Sequence, residues 1–172
     1  CALRDPGLVV PLCIVVAAWS KAKGVNDSVN GMLSTYSVLL MVMFYLQSRN
    51  VLPALDLEKI ARSSDNEYGP VPSVEIDHQR LGGFLVDFFH DITDFRWDAW
   101  VAAVRCRAPL LRVQKPCTWH VHPLCIEDPF ETHLNTCRRV NPRGQRQVLV
   151  ALSAALRTLL EGSGIEGLVS EG

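Results

Sequence analysis

The sequence predicts an α+β fold that is mostly helical: a helical hairpin, then further helices with a few short strands. Three observations carry this. Apolar residues recur at spacings of three and four in residues 8–23 (Leu8, Leu12, Val15, Val16, Trp19) and again at Leu81, Phe84, Leu85, Phe88 and Ile92, the period of a helix with one buried face. The turn between the first two helical segments, residues 24–30, is rich in Gly, Asn, Asp and Ser and short enough to fold them back on each other. Near residue 100 the helical period gives way to two apolar runs flanking Ala108 and Pro109, which read as strands around a turn.

In order, a first helix opens near Pro6 and stops at Gly24, and a second runs from about Gly31 to Gln47, apolar on most faces. Residues 53–75 carry Pro53, Gly69, Pro70 and Pro72 without periodicity, which predicts a long surface loop. A third helix covers residues 81–92, strands are expected at residues 100–107 and 110–113, and another short strand precedes Pro129. The last helix spans about residues 145–160, and Gly162, Gly164 and Gly167 predict a frayed tail.

With 172 residues, 48% of them hydrophobic and 20% charged, the chain fits one domain, residues 1–172. A domain of that size buries roughly two thirds of its unfolded surface. The net charge of −1 supplies no global positive field, so RNA contact has to come from local clusters, which weakens a stand-alone RNA-binding module. The longest apolar stretch, residues 38–46, is far below the roughly 20 residues that span a bilayer, so no membrane segment is expected. Six cysteines, several inside apolar runs, favour a reducing, intracellular compartment. Cys1 stands where a start methionine would, and no charged leader precedes the apolar run at residues 8–19, so the chain is expected to begin inside a longer protein.

Two segments together resemble a known family: residues 19–23 (WSKAK) with 31–47 (GMLSTYSVLLMVMFYLQ), and residues 125–135 (CIEDPFETHLN). They are similar to the terminal uridylyltransferases and related poly(A) polymerases. Residues 52–55 (LPAL) and 81–89 (LGGFLVDFF) look like that family's connecting loop and mid-domain helix, so the resemblance covers most of the chain. It implies the C-terminal, base-recognising lobe of an enzyme whose other lobe holds two metal ions, Mg²⁺ or Mn²⁺, on three aspartates and grips the triphosphate with a Gly-Ser turn. Here the one Gly-Ser, Gly162 followed by Ser163, lies in the C-terminal tail with no Asp-x-Asp after it. Two-metal phosphoryl transfer needs those carboxylates. The resemblance therefore implies a catalytic domain upstream of residue 1 and no activity from this chain alone.

The hairpin puts Lys21 at the end of its first helix and Thr35 and Tyr36 near the start of its second. The resemblance implies a lysine on the triphosphate, a hydroxyl on phosphate or sugar and a tyrosine ring stacked on the base. Such stacking is worth on the order of 1–3 kcal/mol and tolerates any base. Taken alone, Tyr36 would read as core and Lys21 as a cap on the last carbonyls.

Selection falls to Asp128 and Glu131, three apart around Pro129 on a turn expected to open into a helix. Uracil presents an N3–H donor to an ionised carboxylate, whereas cytosine N3 and adenine N1 are acceptors, and an unpaired buried polar group costs about 1–3 kcal/mol. The pair therefore favours UTP, directly or through water. Two neighbouring carboxylates can also raise one pKa and turn an acceptor into a donor, which would admit adenine. The plain alternative for Glu127, Asp128 and Glu131 is an acidic first helical turn.

The pattern departs from the family twice. Ala17 stands where relatives often carry a second phosphate lysine, and Leu134 stands before Asn135 where many uridylyltransferases have histidine, with His133 one residue early. These gaps admit a weakened enzyme, an inactive lobe, or a divergent branch such as the mitochondrial RNA-editing uridylyltransferases. Cys117, His120, His122 and Cys125 hold four possible zinc ligands, but an extended strand cannot easily bring both end cysteines to one ion, so satisfied side chains are the better reading. Arg138 and Arg139 could reach phosphate or RNA, yet arginines flanking a helix are more often solvated.

The expected function is UTP binding for addition of uridines to an RNA 3′ end, with UTP, the RNA 3′ end and the upstream catalytic domain as partners. The alternatives are a poly(A)- or CTP-adding polymerase lobe and a non-catalytic module of an RNA-processing complex.

Overall fold

The computed structural model describes residues 5–56, 58 and 75–170. Cys1 and most of the expected loop at residues 53–75 lie outside them. The described residues form helices α1 (Pro6–Ala22), α2 (Thr35–Ser48), α3 (His78–Asp94), α4 (Pro142–Leu160) and α5 (Gly164–Val169), with strands β1 (Trp100–Val101) and β2 (Leu110–Leu111) between α3 and α4. The mostly helical α+β class and the helical hairpin are as the sequence predicts. Among the described residues no helix is long and apolar enough to cross a membrane.

Helix α1 takes Pro6 in its first turn, where the missing N–H costs nothing, and buries Leu8, Val9, Leu12, Val16 and Trp19. The second helix starts four residues later than expected. Residues 28–30 form a 3-10 turn, Gly31 takes φ +80°, and the Ser34 hydroxyl caps α2 by accepting from Ser37 N–H at 3.0 Å. Gly31 has no room for a side chain either, since a Cβ there would sit 2.2 Å from the Asn141 side chain. The late start sets Thr35 and Tyr36 in the first turn of α2.

Helix α3, capped by Asp77 on Arg80 N–H at 2.9 Å, buries Leu81, Leu85, Phe88, Phe89 and Ile92. Its aromatic face joins the hairpin: Trp19 meets Phe89 edge-on at 4.8 Å, and Tyr45 meets Phe88 at 5.5 Å. Helix α4 lies against α3, completing a helical core.

Three expectations are corrected. The strands shrink to two residues each, paired antiparallel as Trp100 with Leu111 and Val101 with Leu110. The run after Val101 is apolar because it threads the core: Ala102, Ala103 and Val104 are all buried. Ala102 exchanges hydrogen bonds with Cys125 and Glu127, while Val104 C=O accepts from Leu55 N–H at 3.0 Å. The strand expected before Pro129 is two isolated bridges, Ala102 with Ile126 and Glu127 with Asn135. The expected frayed tail is α5, whose Leu168 is buried and whose end is held by Lys23 Nζ on Ser170 C=O at 2.6 Å. There Gly167 lets the backbone approach α4, since a Cβ would lie 2.8 Å from the Thr158 methyl.

Candidate functional site

The start of α2 faces the segment 124–139 across a cleft of about 320 Å³, at the small end of ligand pockets. One wall is Ser28, Met32, Ser34 and Tyr36; the other is Asp128, Leu134, Thr136, Arg138 and Arg139. The walls are tied below the cleft by Ser37, whose hydroxyl donates to Thr136 C=O at 3.2 Å.

Tyr36 is 42% exposed, enough to offer its ring to a ligand. Its phenol pKa is raised by partial burial, then by the Asp128 charge and the hydrogen bond its hydroxyl gives to that carboxylate. Tyr36 is therefore a neutral donor at ordinary pH, aimed at the residue expected to select the base.

Asp128 is only 9% exposed. Its Oδ1 accepts from Phe130 N–H at 2.9 Å and Glu131 N–H at 3.0 Å, so the carboxylate caps its own turn. That turn closes through Asp128 N–H to Leu134 C=O at 3.0 Å and does not open into a helix; the next helix begins at Pro142. With three protein donors around it, Asp128 is held as an acceptor. The oxygen capacity left over suits a ligand N–H.

Of the five residues singled out from sequence, the structure joins Tyr36 and Asp128 directly. Thr35 is exposed and bonds to Asn26 at 3.0 Å, and Asn26 also reaches Ser20 at 3.4 Å. That polar bridge links the end of α1, where Lys21 is exposed on the last turn, to the start of α2. The Glu131 side chain is 63% exposed and lies 3.8 Å from His133. Lys21, Thr35 and Glu131 do not line the cleft.

Two readings from sequence are revised. Arg138 and Arg139, read as more often solvated, line the cleft. The signal was their closeness to the CIEDPF segment, which chain distance alone could not turn into a direction. Glu127 is not part of an acidic helical turn: it is 1% exposed and gripped by Arg105 and Lys115. The pairing with Glu127 holds the Arg105 pKa above its ordinary value despite partial burial.

The Cys/His cluster is dispersed. Cys125 is buried and points its thiol at Trp119 C=O, 3.7 Å away, while Cys117 and His120 are exposed. His122 is kept neutral by burial and then by Arg112. Among the described residues no three or more Cys, His, Asp or Glu side chains are placed to hold a metal ion. The two-metal centre that the resemblance implies does not fit the described residues.

No family model matches the chain. Terminal uridylyltransferase 1 of Trypanosoma brucei brucei is 28% identical over 190 residues, covering 88% of this chain and 19% of that protein. The poly(A) RNA polymerase GLD2 of Bos taurus is 29% identical over 150 residues, covering 78% and 30%. The structure of RNA editing TUTase 1 from Trypanosoma brucei in complex with UTP superposes with a TM-score of 0.78 at 29% identity, over 92% of this chain and 38% of that one.

The chain belongs to the terminal RNA nucleotidyltransferases. It spans between a fifth and a third of these two relatives' length. In this terminal nucleotidyltransferase domain the cleft is bounded by the Tyr36 ring and the Asp128 carboxylate, with the Arg138 and Arg139 guanidinium groups in its lining.

Proposed function

We propose that this chain is the nucleotide-recognition lobe of an RNA 3′-terminal uridylyltransferase, one domain over residues 1–172 that binds UTP for template-independent addition of uridines. The observation that carries the reading is the Tyr36–Asp128 pair across the cleft. The Tyr36 ring stacks on the base at a worth of about 1–3 kcal/mol whatever the base. Asp128, ringed by donors, accepts from uracil N3–H and leaves the N1 of adenine facing a lone pair. Glu131 acts as the second carboxylate from the rim. Lys21 and Thr35 take the triphosphate and sugar beyond the cleft, and Arg138 and Arg139 draw the anionic RNA 3′ end.

Template-independent transfer also needs divalent metal, Mg²⁺ or Mn²⁺, which in this reading a catalytic domain upstream of residue 1 holds. The chain by itself is then inactive. An intracellular location goes with the reading, mitochondrial on the RNA-editing branch. A second reading, an ATP-using lobe, is favoured by the likeness to a poly(A) polymerase at 29% identity and by Leu134, which gives the cleft an apolar wall where a polar reader would stand.

The test is equilibrium binding of UTP, CTP and ATP with Mg²⁺ to the full-length protein, beside Asp128→Ala and the Asp128→Ala, Glu131→Ala double variant. UTP should bind best, and Asp128→Ala should cost about tenfold for UTP and little for ATP, consistent with one lost hydrogen bond to a charged group. Tightest binding of ATP transfers the assignment to the second reading; no binding of any of the three refutes a nucleotide site and leaves an interaction module.

A further inference from the structure

The turn that carries Asp128 has almost no regular structure of its own, yet three points along it are gripped from one neighbouring segment. Glu127, next to Asp128, receives Lys115 on Oε2, with Arg105 bonded to both carboxylate oxygens. Lys115 Nζ also donates to Thr132 C=O at 2.9 Å, and Trp119 Nε1 donates to His133 C=O at 3.3 Å. The Lys115 ammonium lies 4.9 Å from the Trp119 ring centre, so the two anchors brace each other. Arg112 fixes this segment in turn, donating to the carbonyls of Trp97 and Trp119 at 2.7 Å each and to that of His122.

The Lys115 side chain is 8% exposed and that of Glu127 1%. Burying an ion pair costs several kcal/mol of lost hydration per ion, and an apolar pair of the same size often serves stability as well or better. What an apolar pair cannot do is fix two oxygens and a backbone carbonyl at set points. None of these anchors lines the cleft.

We infer that Lys115 is a positioning residue for base selection, acting through Glu127 and the Thr132 carbonyl to set the Asp128 carboxylate against Tyr36. This rests on the reading of the cleft as a base site. With the ammonium gone, Glu127 keeps Arg105 but the far side of the turn loses its tie, and Asp128 is free to rotate away from the Tyr36 hydroxyl. A positioning group displaced by about 1 Å can cost up to a hundredfold where geometry is demanding; selection between bases, resting on one carboxylate, should lose roughly tenfold.

The experiment measures the ratio of UTP to ATP affinity in the full-length protein for Lys115→Met, Lys115→Arg, Trp119→Phe and Asp128→Asn, with thermal unfolding of each. Lys115→Met should cut whatever preference the unmodified protein shows by roughly tenfold, Lys115→Arg should restore most of it, and Trp119→Phe should cut it by about threefold, matching loss of a single neutral hydrogen bond. A lysine with a purely structural role would lower the unfolding temperature and leave the ratio unchanged. If Lys115→Met does not fold, Trp119→Phe decides. An unchanged ratio in both while Asp128→Asn shifts it overturns the positioning role and leaves the base site standing. An unchanged ratio in Asp128→Asn as well overturns the base site, and this inference with it.

Discussion

The two walls of the cleft are built by different physics. The Tyr36 wall belongs to the α1–α2 hairpin, where a local cap, Ser34 on Ser37 N–H at 3.0 Å, and a helical period of buried side chains place every residue. The Asp128 wall is a turn held by side-chain hydrogen bonds, not by a helical ladder. Asn135, 3% exposed, accepts from Ile126 and Cys137 N–H at 3.1 and 3.0 Å and donates to Leu124 C=O at 2.9 Å. The contrast teaches that, in the proposed reading, the residue that stacks on any base sits on the locally built element. The residue proposed to select the base sits on the element shaped by side-chain polar contacts.

If that division is right, equal-sized lesions on the two walls should differ in size of effect. Asn135→Ala strips partners from three buried backbone groups, at about 1 kcal/mol or more each. It should destabilise by roughly 3–4 kcal/mol in urea unfolding and weaken nucleotide binding as the Asp128 turn loosens. Ser34→Ala removes one cap and should cost about 1 kcal/mol. Comparable losses for the two would break the comparison.

Tyr36→Phe sharpens it. The ring and its stacking remain while the hydroxyl to Asp128 goes, so binding should weaken by about 1 kcal/mol for UTP, with a loss of folding stability of about 1 kcal/mol or less. A larger loss for ATP than for UTP would mean that the hydroxyl, not the carboxylate, reads the base.

A pH-dependent effect concerns Cys137, at the end of the Asp128 wall. Burial pushes its thiol up to about 12 from the ordinary 9.0, opposed by hydrogen bonds from Ser37 and Thr136. The folded chain therefore holds the proton that the unfolded chain releases first. This stability is fully present below pH 9.0 and is lost as pH rises toward about 12. Cys137→Ala should flatten the alkaline fall in stability over that window, measured by urea midpoints from pH 8 upward, relative to the slope of the unmodified protein.

Much of the hairpin wall was legible in the sequence. The periodicity of residues 8–23 and 81–92 named the buried faces, and Lys21, Thr35 and Tyr36 do lie at one end of the helix pair. The errors were of a kind. Residues 100–107 read as one strand because most are apolar, but beyond Val101 the buried Ala102 and Val104 bond to different segments, at Cys125 and Glu127 and at Leu55. The tail read as frayed because it is rich in glycine, yet Gly167 is what allows α5 to pack against α4.

The sequence by itself determined the four long helices, though not their capped ends or the short helix α5, and it determined the carboxylate and tyrosine on which a nucleotide reading depends, because helical periodicity acts over four residues or fewer. Only the tertiary structure decided that Asp128 turns inward to meet Tyr36 while Glu131 turns out, that Arg138 and Arg139 face the cleft, and that Glu127 is buried between Arg105 and Lys115. Those orientations depend on partners up to about a hundred residues away, such as Ser37 with Thr136, and no local rule carries a side chain's direction that far.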